Sequence, residues 1–254
     1  MKTKKVIFIT GAGSGLGEMI ALTLLEKGHS VYGSFYSSAI SSKNKNLFKM
    51  DVKSSDSIKI ALRKVINIEG RIDVLINNVG ATISGPSRGN SEQDFQRLLD
   101  MNVVGPFRVI KEALKYSPKP KMIINITSLS AILSLPNFAI YSASKHAMEA
   151  FGIALRYELW PKTKVVNVAP GALVSKNNVK ILHKTARNKF PILNWLIPLT
   201  SYDKVSKSIS KLVEQVNPPK RVIIGRDAKI ISIMQRIVPD FLFDRLMLFI
   251  WRKK

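Results

Sequence analysis

Along this chain, short runs that are apolar at nearly every position alternate with longer stretches whose apolar residues recur every three to four positions. The short runs are KVIFIT (5–10), SVYGSF (30–35), the stretch 46–50, VLIN (74–77), MIINIT (122–127), VVNVA (165–169) and RVIIG (221–225). Each has the length of a strand, and most have the apolar continuity of one buried on both faces. The longer stretches, 15–27, 55–68, 91–115, 142–159 and 203–216, read as helices. Gly28 is placed to stop the first, and Gly105-Pro106 to bend the third. Strands buried on both faces and separated by helices predict a parallel sheet covered on either side. Right-handed crossovers then make it doubly wound. No Pro/Gly/Ser-rich linker or repeat divides the sequence, so 1–254 is expected to be a single α/β domain.

In such sheets ligands bind beyond the carboxyl ends of the strands. The segments of interest are therefore 10–17, 36–38, 51–52, 77–80, 127–128 and 170–175. The first is TGAGSGLG, between a strand and a helix. No frame of it fits the G-x-G-x-x-G spacing; the frame that fits is T-G-x-x-x-G-x-G, with Thr10, Gly11, Gly15 and Gly17. Gly13 falls outside that frame and is expected to be replaceable. Glycines let a backbone turn tightly against a pyrophosphate, and a helix N-terminus offers unpaired N–H groups to it. A glycine-rich turn without a ligand is the plain alternative.

A second group of residues carries acid–base chemistry. Tyr141 and Lys145 in YSASK are four apart on a predicted helix and share a face. A nearby ammonium favours a phenolate over a phenol, which suits proton transfer. Ser128 follows a strand at the same end of the sheet, where its hydroxyl can bond an oxygen on which charge develops. Singly, these are an ordinary aromatic, a solvated lysine and a strand-end cap; beside a glycine loop they form a site.

Taken together, these motifs resemble the short-chain dehydrogenase/reductase family. The likeness runs from Thr10 to about Ser175, and the element order follows to about Gly225. Thr10-Gly11-x-x-x-Gly15-Leu16-Gly17 resembles the family's cofactor loop, and Asp51-Val52 its adenine contact. Asn77-Asn78-Val79-Gly80 is similar to its N-N-A-G signature, with Val for Ala. Asn102, Ser128, Tyr141 and Lys145 match its catalytic tetrad. Pro170-Gly171 with Leu173 and Ser175 resembles its P-G-x-V-x-T element. The resemblance implies a Rossmann-type sheet and hydride transfer between NAD(P) and a carbonyl or alcohol. It makes Tyr141 the proton donor or acceptor and gives Ser128 the substrate oxygen. Lys145 takes the nicotinamide ribose and favours the Tyr141 phenolate, and Asn102 supports a water linking Lys145 to solvent. It implies no metal, and a dimer or tetramer.

NAD and NADP are usually told apart at the end of the second strand. There this chain has Ser34-Phe35-Tyr36-Ser37-Ser38, neither acidic nor basic. Ser37 and Ser38 can bond a phosphate, and Lys43 and Lys45 follow. The stretch leans to NADP and leaves NAD open.

Composition narrows the picture further. There are no cysteines and three histidines, so thiolate metal sites are excluded and a histidine site is unexpected. Lys and Arg total 40 against 17 acidic residues, a net charge of +23 that attracts anionic partners. The cations are scattered and not interleaved with aromatics, so nucleic-acid binding is not expected. After MKTKK the apolar run is too short for a signal peptide, and a cytoplasmic protein is expected. Residues 176–200 would form the family's substrate lid, with Phe190, Ile192, Leu193, Trp195 and Leu196 suited to an apolar, lipid-like substrate. The stretch 229–254 is an amphipathic extension, too charged and too interrupted by Pro239 to span a bilayer. From 240 it fits an interfacial membrane anchor, packing on the lid, or packing on a second subunit. A nucleotide-sensing regulatory protein on the same fold is the competing function.

Overall fold

A computed structural model describes residues 3–36, 42–173 and 199–251. Seven strands form one parallel sheet: β1 (Val6–Ile9), β2 (Ser30–Phe35), β3 (Leu47–Lys49), β4 (Val74–Asn77), β5 (Met122–Ile126), β6 (Lys164–Pro170) and β7 (Arg221–Ile224). Their order is β3-β2-β1-β4-β5-β6-β7, so the direction of winding reverses between β1 and β4. The helices are α1 (Gly15–Glu26), α2 (Ser55–Glu69), α3 (Glu92–Leu99), α4 (Gly105–Ala113), α5 (Ala139–Leu159), α6 (Tyr202–Val213), α7 (Arg226–Ile237) and α8 (Asp240–Trp251). The doubly wound sheet read from the apolar runs is thus present, with every predicted strand in place.

Period-two alternation sends the side chains of each strand to two separate cores. Ile7 and Ile9 of β1 pack with Ile20 and Leu24 of α1 and with Val205 and Ile209 of α6. Val6 and Phe8 of the same strand pack on the other face with Ile58 and Leu62 of α2 and with Val109 and Ile110 of α4. Helix ends follow local chemistry. The Ser54 hydroxyl accepts from the Ser57 N–H at the start of α2, and Gly70 closes that helix in the left-handed region. Ser91 and Asp94 form a reciprocal capping box on α3.

The stretch expected to be one bent helix over 91–115 is instead α3, a π-turn at Asp100–Val104, and α4. Pro106 explains the break. It has no N–H to offer the Asn102 carbonyl four residues back. The Gly105 N–H instead reaches five residues back, to Asp100. Helix α5 begins three residues before its expected start at 142, so Tyr141 lies in its first turn. The extension holds two helices: α7 precedes the helix expected from 240, and Pro239 separates them.

Three asparagines stand inside strands that read as apolar runs. Asn77, Asn125 and Asn167 are paired in register on β4, β5 and β6. Asn77 Nδ2 donates to Asn125 Oδ1 at 3.0 Å, and Asn125 Nδ2 to Asn167 Oδ1 at 3.1 Å. Asn167 Nδ2 then donates to the Glu149 carbonyl of α5 at 2.8 Å. The Glu149 carboxylate meets Arg221 of β7 at 2.6 Å. Gly152 lets α5 approach this ladder, since a Cβ there would overlap the Asn167 amide. Buried amides bonded across three strands fix a single register, although Asn77 Oδ1 and Glu149 Oε2 find no hydrogen-bond partner among the described residues. Here they fasten α5, which carries Tyr141 and Lys145, to the centre of the sheet.

Candidate active site

The glycine loop leaves β1 at the reversal point and is tied down on both sides. Thr10 is buried; its Oγ1 accepts from the Asn78 and Val79 N–H groups at 2.9 and 3.0 Å. The Asn78 amide donates to the Thr10 and Gly11 carbonyls. On the other side Ser34 of β2 accepts from two loop N–H groups, Gly11 at its Oγ and Ala12 at its carbonyl. Ser34 therefore holds the loop rather than facing outward. Gly11 and Gly15 have φ of 69° and 59°, a region that favours glycine. A Cβ on Gly17 would overlap the Gly11 carbonyl oxygen. Gly13 is not the spare residue its place outside the frame suggests: a Cβ there would lie 2.9 Å from Phe35 Cβ. The loop ends at the N-terminus of α1, whose Ser14 cap makes no side-chain bond to the first-turn N–H groups. Glycine-lined backbone and N–H groups aimed from a helix start suit a pyrophosphate.

The acid–base residues meet at the neighbouring strand ends. Lys145 is buried, with Nζ donating to the Ile126 carbonyl at 3.2 Å and standing 5.9 Å from the Tyr141 ring centroid. Ser128 follows β5; its hydroxyl oxygen accepts from the Ser130 N–H at 3.1 Å, which leaves its own proton to donate elsewhere. Asn102, in the π-turn, is a clamp. Its Nδ2 donates to the Ala81 carbonyl and to Ser144 Oγ, both at 2.9 Å, and its Oδ1 accepts from the Ala81 N–H at 2.8 Å. Ser144 passes the link to the Tyr141 carbonyl at 2.7 Å. Gly80 fits between, for a Cβ there would sit 3.2 Å from Asn102 Oδ1 and 3.3 Å from Lys145 Nζ.

One cleft is lined by Leu16, Asn78 and Gly80, by Ser128, Tyr141 and Lys145, and by the turn Pro170–Leu173. Leu135 and Phe138 add an apolar wall. Asp51 and Val52 lie apart from it, beyond β3. Asp51 Oδ1 accepts from the Lys53 N–H at 2.9 Å, and Val52 is buried against Gly105. Tyr36 is exposed just past the end of β2. Lys43 and Lys45 are exposed too, but they precede β3 beside the start of β2, where Asn44 Nδ2 donates to the Val31 carbonyl and the Gly33 N–H to the Asn46 carbonyl; they do not meet the cofactor end of the sheet as the sequence suggested. Ser37, Ser38, Ser175 and the five apolar residues of the expected lid wall lie outside the described residues.

The sequence did not single out Asp227. It is buried at the start of α7, and Oδ2 accepts from the Ala172 N–H at 2.7 Å while Oδ1 accepts from the Thr200 hydroxyl at 3.3 Å. Gly171 and Gly225 both close on this carboxylate, so neither has room for a side chain. Thr200 also pairs with Leu173 as an isolated bridge. Asp227 thus holds the turn that lines the cleft. The two tightly packed glycines were the available sign, but they lie in different segments of the sequence.

Comparison with known proteins gives the family. Residues 5–186 match the family model described as short chain dehydrogenase. The 3-ketodihydrosphingosine reductase of Bacteroides thetaiotaomicron is 33% identical, over 87% of this chain and 88% of its own. A 3-oxoacyl-(acyl-carrier-protein) reductase of Staphylococcus aureus is 31% identical, over 69% of this chain and 77% of its own. The solved structure of ElxO with NADP bound superposes with a TM-score of 0.77 at 25% identity, covering 91% of this chain and all of that one.

Proposed function

Because the chain belongs to the short-chain dehydrogenase family of oxidoreductases, we propose that it interconverts a carbonyl and a secondary or primary alcohol on an apolar, lipid-like substrate. The observation that carries this reading is the meeting of Tyr141, Lys145 and Ser128 in one cleft beside the glycine loop. A nicotinamide cofactor, when bound, supplies or takes up the hydride. The loop Gly11–Gly17 and the start of α1 would hold its pyrophosphate, with Asn78, Gly80, Lys145 and Pro170–Leu173 along its reactive half and Asp51-Val52 toward its adenine. In the reducing direction the Tyr141 hydroxyl gives its proton to the carbonyl oxygen. Ser128 donates a hydrogen bond to that same oxygen, stabilising the charge that forms there. Lys145 holds the ribose side, and Asn102 fixes the first turn of α5 through Ser144. Pro106 removes the usual partner of the Asn102 carbonyl, which supports that carbonyl as the holder of a proton-relay water.

NADP is the preferred cofactor in this reading. No acidic residue stands at Ser34–Ser38 to repel a 2′-phosphate. The NADP-bound similar structure supports it. The apolar substrate is supported by Leu135 and Phe138 in the cleft and by the named activity of the Bacteroides relative. The protein is taken to work in the cytoplasm, at least in part at a membrane face. Self-association is part of the same reading, because aromatic rings at Phe107, Tyr157 and Trp160 are exposed on α4 and at the end of α5.

Coenzyme consumption with ketones of increasing alkyl length tests the proposal. NADPH should support faster turnover than NADH. Each methylene that becomes buried should raise kcat/KM by roughly fourfold. Equal turnover of short water-soluble ketones would overturn the apolar substrate, and a preference for NADH would overturn the cofactor.

A further inference from the structure

Helices α7 and α8 expose an apolar surface that the reaction does not use. On α7, Ile230, Ile233 and Ile237 have the i, i+3, i+7 spacing of one helical face, and all three are exposed. On α8, Phe241, Leu242, Leu248 and Phe249 are exposed, while Phe243 and Met247, four apart, are partly buried. Ile237, Leu248 and Phe249 are each at least 70% exposed. A surface of this extent calls for a partner.

Charge identifies the partner. Lys229 and Arg236, also seven apart and exposed, run along the edge of the α7 stripe, and Arg245 stands within the exposed arc of α8. The sequence continues as Arg252-Lys253-Lys254. Of the acidic groups on these helices, Asp227 is buried at the start of α7, while Asp240 and Asp244 are exposed and share a groove with Arg245, Leu248 and Phe249; the exposed cations Arg226, Lys229, Arg236 and Arg245 outnumber them. A second copy docked face to face here would set this basic rim against its own like charges. An anionic bilayer supplies both an apolar interior and opposite charge.

We propose that α7 and α8 together form a docking surface for anionic lipid, lying in the bilayer interface without crossing it. Among the described residues no helix is long and apolar enough to cross. Isoleucine and aromatic side chains enter the acyl region, and Lys229, Arg236 and Arg245 reach the phosphates along their aliphatic stems. The arrangement enlarges the surface expected from 240–254 alone, because α7 adds three exposed isoleucines to it. It also bears on substrate access, a point that rests on the lipid-like substrate proposed above. The groove of α8 is closed by Ile132, Leu133, Ser134 and Pro136. Leu135 of that same loop lines the catalytic cleft. A docked molecule therefore holds its cleft next to the lipid surface.

Vesicle co-sedimentation of the full chain tests this without requiring turnover. Wild-type protein should bind vesicles of equal parts phosphatidylcholine and phosphatidylglycerol, and bind phosphatidylcholine alone weakly. A bound fraction should persist at about 1 M salt, where charge acts over only about 3 Å. The triple variant Ile233→Ser, Ile237→Ser, Phe249→Ser should lose at least about tenfold of the salt-resistant binding. It should melt at the wild-type temperature, because these side chains are exposed. Wild-type binding that is wholly stripped by salt would overturn the proposal, since scattered lysines alone would then explain it. A variant that binds as well as wild type would overturn it too. So would a variant that turns from oligomer to monomer with lipid binding intact, for a second copy would then cover the face.

Discussion

Tyr141→Phe should lower turnover by about 10²- to 10⁴-fold while NADPH affinity stays near the wild-type value. The substitution removes one oxygen. The ring keeps its edge contact with Phe138, and the Lys145 ammonium keeps its place over the ring and its bond to Ile126. What is lost is the proton that the substrate oxygen must receive or give up. Ser128 does not replace it, since a serine hydroxyl beside the oxygen stabilises charge without being matched to proton transfer near neutral pH. Single-turnover rates and a fluorescence titration of NADPH separate the two effects. Full turnover in the variant would remove Tyr141 from the acid–base role. A parallel loss of NADPH affinity would make it a binding residue.

Gly17→Ala should weaken NADPH binding by at least about tenfold and lower the melting temperature. The added methyl would overlap the Gly11 carbonyl oxygen and lie 2.6 Å from the Asn78 amide nitrogen. Neither neighbour can give way easily. The Gly11 carbonyl belongs to a loop held by Ser34, and the Asn78 amide is bonded to the Thr10 and Gly11 carbonyls. Room for the methyl therefore comes from moving the turn that would face the pyrophosphate. Titration of NADPH and a thermal melt read both consequences. Unchanged affinity would show that the cofactor does not rest on this loop.

Much of the fold was legible because strands buried on both faces are apolar almost throughout. The site was legible where its residues lie close in sequence, as in TGAGSGLG and YSASK. Features built from distant residues were not. The Asn77–Asn125–Asn167 ladder appears only when three strands come into register; singly, each asparagine is a blemish in an apolar run. The Asp227 clasp joins residues 55 and 27 positions away. Gly13 looked dispensable because a spacing pattern has no information about Phe35 on the neighbouring strand. The π-turn needed the consequence of Pro106 for the carbonyl of Asn102 to be followed one step further than a bend. Helix α7 went unassigned as a helix because its exposed isoleucine stripe gives no core against which to read it.

The central claim is that this cleft moves a hydride between a nicotinamide and a substrate carbon while Tyr141 moves the proton. Its most direct measurement is mass spectrometry of the alcohol formed from a long-chain ketone with NADPH carrying deuterium at the transferable C4 position. The account predicts one deuterium on the carbinol carbon, formed by the wild type and largely lost in Tyr141→Phe. Tight NADPH binding with no deuterated alcohol from any ketone would contradict it and leave a protein that binds the nucleotide without turning it over.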